Sequence, residues 1–300
     1  MIFRRLAVSV VAVMALASCG VVPSAKDAFS VGDESWSREK FNAFLSELIK
    51  AEQIAAFGGG VSGEDARGVA TVLIRQEATN VFLESQGESI TDADRATLLA
   101  DVTEDDPFNS YSETLQNVLL QINASRSALS RVKMPSSDAL KSLYNTLPAH
   151  AGVLCISHLV VETRDEALRG LRRIKNGEEF AAVAKDMSIE PAAIQTGGAL
   201  ANPADNNPCF TLEGIRQEGF DPLFVAGAMS ARAGIPTGPI KSSFGYHVIV
   251  NAPWNDVSDA VTVLVEQSPG TVLNEGFLVS TDIAVSSSIG TWSAVNGRLE

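Results

Sequence analysis

After Ser37, a residue type that caps helix N-termini, apolar side chains recur at helical spacing as Phe41, Phe44, Leu45 and Leu48. Gly58-Gly59-Gly60 breaks the pattern, which resumes as a helix from about Gly63 to Ser85. Upstream, Phe29-Ser30-Val31 followed by Gly32-Asp33 reads as a short strand and turn. Gly87 to Asp94 combines a helix stop, an extended residue and an N-cap, so more helix is expected to Leu99, then from about Ser110 to Val132 and from Asp138 to Tyr144. Beyond Gly152 the period changes. Val153 to Val161 reads as a strand, and Thr163-x-x-Glu166 as a capping box opening a helix with Ala167, Leu168, Leu171 and Ile174 on one stripe. Phe180, Val183, Ala184 and Met187 mark a second helix and Phe220 to Met229 a third; Thr237–Ile240 and Tyr246–Asn251 close as strands. Helices first, then β-α-α-β-α-β-β, predicts an α+β chain: an α-helical N-terminal domain followed by a small antiparallel sheet covered by helices. After Trp254, residues 256–267 are expected to be helical and 271–285 mixed or extended. Val261, Leu264 and Trp292 need burial, so this tail either packs back on the N-terminal part or is partly disordered.

The first residues carry a different pattern. Arg4 and Arg5 precede an apolar run, Leu6 to Ala17, too short to span a bilayer comfortably, and Leu16-Ala17-Ser18-Cys19 supplies small residues before a cysteine. This ending resembles a bacterial lipobox, which implies cleavage after residue 18 and lipidation of Cys19; an ordinary secretory signal with an incidental cysteine is the other reading. The expected division is therefore 1–18 signal, 19–28 tether, 29–150 helical domain, 151–252 mixed domain and 253–300 C-terminal segment. Acyl chains on Cys19 add about 0.8 kcal/mol of membrane affinity per buried methylene. The expected location is the extracytoplasmic face of the cell membrane, held by a lipid anchor. The chain of 300 residues carries a formal charge of −13, and losing Arg4 and Arg5 with the signal makes it −15. Such an acidic surface argues against nucleic acid as a partner.

Three cysteines leave Cys155 and Cys209 beside Cys19. In an exported protein such a pair forms either a disulfide or two separate thiols. No histidine or cysteine pair has ligand spacing, so neither metal nor another cofactor is expected.

Two of the three histidines, His158 in Ile156-Ser157-His158-Leu159-Val160-Val161 and His247 in Phe244-Gly245-Tyr246-His247-Val248-Ile249-Val250, lie in strand segments. Between them stand Gly197-Gly198-x-Leu200 and the Phe220/Phe224 pair. Over roughly 152–252 this order resembles the parvulin family of peptidyl-prolyl isomerases. The helical part, through Glu34 to Phe41, Gly87 to Asp92 and Ala139 to Tyr144, resembles the N-terminal chaperone domain of exported isomerases of the SurA and PrsA type. The resemblance implies a proline pocket from Leu200, Phe220 and Phe224, with Phe244 counted beside them. It also implies a hydrogen-bonded pair, His158 and His247, with the Ser242 hydroxyl nearby and Glu190 where the family places an Asp or Cys. Outside that motif, each of these residues would read as ordinary core. Ser188 to Leu200 follows the family pattern with two departures, Glu190 and Ala199. Residues 201–219 are longer than the family's connection and are expected to form a loop over the pocket rim. The basic cluster of phosphoprotein-specific members is absent after His158, so no phosphate preference is expected.

The function these features imply is an extracytoplasmic prolyl isomerase and folding chaperone whose partners are unfolded or newly exported polypeptides with X-Pro bonds. The competing reading is a non-catalytic holdase with a degenerate parvulin domain. A hydrolase is disfavoured because no nucleophile elbow is present.

Overall fold

A computed structural model describes residues 26–300; the calls on residues 1–18, Cys19 and most of the tether lie outside the described residues. The tether expectation ran too far, to residue 28. Strand β1 (Asp27–Val31) already holds Ala28 and Phe29 fully buried, because it is sandwiched between β2 (Glu34–Ser37) and a strand from the far end of the chain.

Four helices follow. In α1 (Arg38–Lys50) the Ser37 hydroxyl accepts the Lys40 N–H, and Phe41, Phe44, Leu45 and Leu48 face inward. Then come α2 (Gly63–Ser85), α3 (Asp92–Leu99), opened by a Thr91/Asp94 capping box, and α4 (Glu113–Ser130). Helix α5 (Ser137–Thr146) leads to a 3-10 turn at Pro148–Ala151.

The predicted strand 153–161 is two strands. β3 (Val153–Leu154) breaks at Cys155 from β4 (Ile156–Val161) because they pair with different partners. Then follow α6 (Arg164–Lys175), α7 (Phe180–Met187), a short α8 (Pro191–Thr196), β5 (Phe210–Thr211), α9 (Leu212–Gln217), α10 (Pro222–Ser230), β6 (Thr237–Ser242) and β7 (Gly245–Asn251). The central sheet is antiparallel in the order β4-β7-β6, with His158 opposite Ile249 and Val160 opposite His247. Side chains alternate across it as strand geometry requires. Leu159, Val161 and Val248 pack under α6 and α7, while Ile156 and Ile249 join Phe224 and Met229 of α10 on the other face. The histidines share the α10 face.

The segment 201–219 is not an irregular loop, although its last residues, Glu218 and Gly219, do reach the cleft. Its β5 pairs with β3 and its α9 packs on the α10 side of the sheet, because Phe210, Leu212 and Ile215 are apolar enough to be buried there with Phe224 and Ile249; the Phe210 ring meets that of Phe220 at 6.0 Å. Cys155 and Cys209 form a disulfide across this pairing, with Cα atoms 4.1 Å apart. Closing a 54-residue separation contributes about 4 kcal/mol in the chain-entropy model.

After α11 (Trp254–Gln267), residues expected to be mixed or extended form helix α12 (Pro269–Ser280) and then β8 (Ile283–Val285), which pairs with β1. Helix α12 packs against α2 and α4, and a small hairpin of β9 (Trp292–Ser293) and β10 (Arg298–Leu299) lies against α2. Buried Glu275 of α12 pairs with Arg75 of α2 and Arg216 of α9, tying the helical part to the segment that carries α9. No described helix is long and apolar enough to cross a membrane.

Candidate active site

Backbone register sets the site. Because β4 and β7 are antiparallel with Val160 opposite His247, the imidazoles of His158 and His247 arrive diagonally on one face. Their Nδ1 atoms are 3.3 Å apart and both residues are buried. His247 Nε2 is 2.7 Å from the Ser242 hydroxyl, which also accepts the Phe244 N–H. At the other end, His158 Nε2 lies 3.0 Å from Glu190 Oε2. That contact is close but poorly directed, and Oε2 has no aligned hydrogen-bond partner.

The Ser242–His247–His158 contacts are satisfied in one consistent tautomer set, which leaves His158 Nε2–H turned toward Glu190. If the Ser242 hydroxyl donates to His247 Nε2, His247 Nδ1–H donates to His158 Nδ1, and His158 Nε2–H faces Glu190. Burial pushes both imidazoles down from 6.5 to about 4, so both are neutral at pH 7. Burial pushes the Glu190 carboxyl upward.

Glu190 is placed by α8, whose end is a glycine turn. Gly197 and Gly198 both have positive φ, and the turn lies against β4: His158 N–H donates to Gly198 O, and Leu200 N–H to Ile156 O. A Cβ on Gly198 would sit 2.2 Å from the His158 carbonyl oxygen, so no larger residue fits without moving the strand that carries the histidine.

Beside the histidines opens a cleft of about 400 Å³. Its floor is Phe224, whose ring centroid is 5.1 Å from each imidazole; Phe220 stacks on Phe224 at 5.6 Å. Phe244 (71% exposed) and Ile189 form an apolar rim. Leu200, expected in the pocket, does not line the cleft; it packs into the cluster beneath Phe224, because the glycine turn is pinned to β4 at Ile156.

Five lining residues were not among the expected site residues: Val160, Ile189, Glu218, Gly219 and Asp221. Asp221 caps α10 by accepting the Leu223 and Phe224 N–H groups and ties that helix to the β6–β7 turn by accepting the Ser243 N–H and hydroxyl. Those donors, Ser243 first, hold its carboxyl down at about 2. The Asp221-Pro222 pair, a cap residue before proline at the first helical position, was the legible signal. Glu218 and Gly219, the last residues of the 201–219 segment, complete the wall. Among the described residues no group of His, Cys, Asp and Glu is placed to hold a metal.

The buried imidazoles give a signed prediction. The unfolded chain takes up protons below 6.5 and the folded pair only near 4, so acid favours unfolding in that window. Unfolding free energy should fall as pH drops from about 6.5 to 4, by up to about 3 kcal/mol per histidine. Glu190 works in the opposite sense and offsets part of this. Asp221, with an ordinary value of 3.8, loses its contribution only below that pH. Urea unfolding at pH 7 and pH 5 measures the effect; equal free energies would contradict the burial of the pair.

Residues 160–251 match the family model Rotamase: PPIC-type PPIASE domain. A foldase protein PrsA of Clostridium kluyveri is 37% identical over 109 residues, covering 36% of this chain and 28% of that relative. The match thus spans well under half of that curated protein. Among solved structures, the parvulin of Nitrosopumilus maritimus aligns over 34% of this chain and 96% of its own, at 30% identity and a TM-score of 0.28. PrsA from Bacillus subtilis aligns over 81% of this chain and 86% of its own, at 16% identity and a TM-score of 0.30.

Proposed function

We propose that this chain, which carries a parvulin-type PPIC domain over residues 160–251, is a prolyl cis-trans isomerase and foldase for polypeptides outside the cytoplasm. The observation that carries the reading is the neutral histidine pair, His158 just before the matched residues and His247 within them, set against the Phe220/Phe224 cleft. Prolyl isomerisation breaks no covalent bond. Its barrier, about 18–20 kcal/mol for an amide, is the lost C–N conjugation as the bond twists. A catalyst therefore has to bind the twisted imide better than either planar form. The aromatic floor takes the proline ring and excludes water from the carbonyl. The chain Ser242–His247–His158–Glu190 holds fixed tautomers beside it. In this reading His158, His247, Ser242 and Glu190 set the polarity, while Phe220, Phe224 and Phe244 hold the ring.

The test is NMR exchange or protease-coupled isomerisation of an X-Pro peptide with the protein from residue 19 onward. The expected result is acceleration above the uncatalysed rate, which takes tens of seconds or more. No acceleration, together with suppressed aggregation of an unfolded client, would transfer the function to the holdase reading. That reading is favoured by one observation, a second groove in the helical part lined by Phe44, Leu48, Val69 and Leu119.

Lipid anchoring at Cys19 and residence on the extracytoplasmic face of the membrane belong to the same proposal, on the strength of Arg4, Arg5 and Leu16-Ala17-Ser18-Cys19.

A further inference from the structure

The wall of the cleft carries charge of one sign. Glu218, Gly219, Phe220 and Asp221 follow one another along it, so two carboxylates bracket the ring that stacks on Phe224. A third carboxylate, Glu190, comes from the separate segment before α8. Among the described residues lining the cleft there is no lysine or arginine. Two of these acids have structural duties: Asp221 is consumed by the α10 cap and Ser243, and Glu190 faces His158. Glu218 has none in its side chain. Only its backbone is used, its N–H donating to Gly214 O at the end of α9, and the residue is exposed at the rim. The disulfide Cys155–Cys209 and the β3–β5 pairing anchor the segment that delivers it.

We propose that Glu218 is a specificity-determining residue of this site, selecting proline segments that carry a lysine or arginine next to the proline and disfavouring those with an acidic neighbour. This rests on the isomerase reading above. An apolar ring slot treats all prolines alike, so discrimination has to come from the rim, and here the rim offers only negative charge. The Glu218 carboxylate is solvated, so each cationic neighbour gains modestly, while an acidic neighbour meets like charge. A partly screened pair of this kind corresponds to roughly a threefold to fivefold preference, and cation against anion to about tenfold. Screening with a Debye length of about 8 Å at physiological ionic strength should reduce it at high salt.

The experiment compares kcat/KM for peptides identical except for Lys, Ala or Glu on either side of proline, using the protein from residue 19 onward. The expected order is Lys above Ala above Glu, with the Lys-to-Glu ratio near tenfold at low salt. Glu218→Gln should collapse that ratio toward the value set by the remaining acids, and Glu218→Lys should collapse it further or invert it. Glu213→Gln removes the same charge from α9, away from the cleft, and should leave the ratio unmoved, which separates a local effect from the overall charge, −15 without Arg4 and Arg5. Equal rates on all peptides, or a ratio that survives both Glu218 variants, overturns the proposal while leaving isomerisation intact. No acceleration of any peptide would instead remove the isomerase reading on which it rests.

Discussion

Gly198→Ala is expected to destabilise the protein by at least about 3 kcal/mol, a loss of the size reserved for forced clashes in packed structure. Two costs add. Gly198 has φ +87°, a left-handed conformation that costs a residue with a Cβ about 1–2 kcal/mol. The new Cβ would also stand 2.2 Å from the His158 carbonyl oxygen and 3.2 Å from the Phe180 ring. Backbone cannot yield as a flexible side chain does, so relief requires shifting β4 or breaking the His158 N–H to Gly198 O bond. Either movement displaces one imidazole from the other, and isomerase activity should fall with stability. Gly177→Ala is the control: its φ is +97° but no atom lies within 4 Å of the added Cβ. Urea unfolding of both variants measures the difference, and equal losses would show that close approach to His158 contributes nothing.

Phe224→Ala should have the second large effect, and on two observables. The ring is 3% exposed, stacks on Phe220 and touches both imidazoles, so its removal opens a cavity that costs about 3–5 kcal/mol. It also removes the floor of the slot and admits water to the histidine pair. Exchange of X-Pro peptides should slow by at least about tenfold, the equivalent of about 1.4 kcal/mol of lost transition-state binding. The imidazole values near 4 should climb back toward 6.5 as water enters. Phe244→Ala gives the contrast. Its ring is 71% exposed, so stability should change by no more than about 0.5 kcal/mol while affinity for the peptide weakens. Undiminished exchange by a folded Phe224→Ala variant would take the proline out of this slot.

Several features were legible because they are local. Ser37 before Phe41 and the Thr163/Glu166 box each act within one helical turn, and α1 and α6 begin where those residues place them. Alternation along 156–161 and 246–251 put His158 and His247 on definite faces, and strand pairing then brought their rings together. Phe220 and Phe224, which the resemblance implies as pocket residues, both line the cleft.

What tertiary structure alone decided shares one physical reason: partners distant in sequence leave no local period. Helix α12 looked mixed because it is buried on nearly every side, so Asn274, Glu275 and Gly276 interrupt any stripe. Its glycines are close approaches: Gly270 lies against the Leu129 carbonyl and Gly276 against that of His150. Cys155 could have been a free thiol until β5 brought Cys209 beside it. Leu200 left the pocket because its N–H is bound to Ile156, and Glu218 stands in the wall because α9 packs on the α10 side and the segment ends beside Phe220. The local sequence set where helices start and which way strand residues face. Only long-range packing chose which of those faces became a cleft and which charges stand around it.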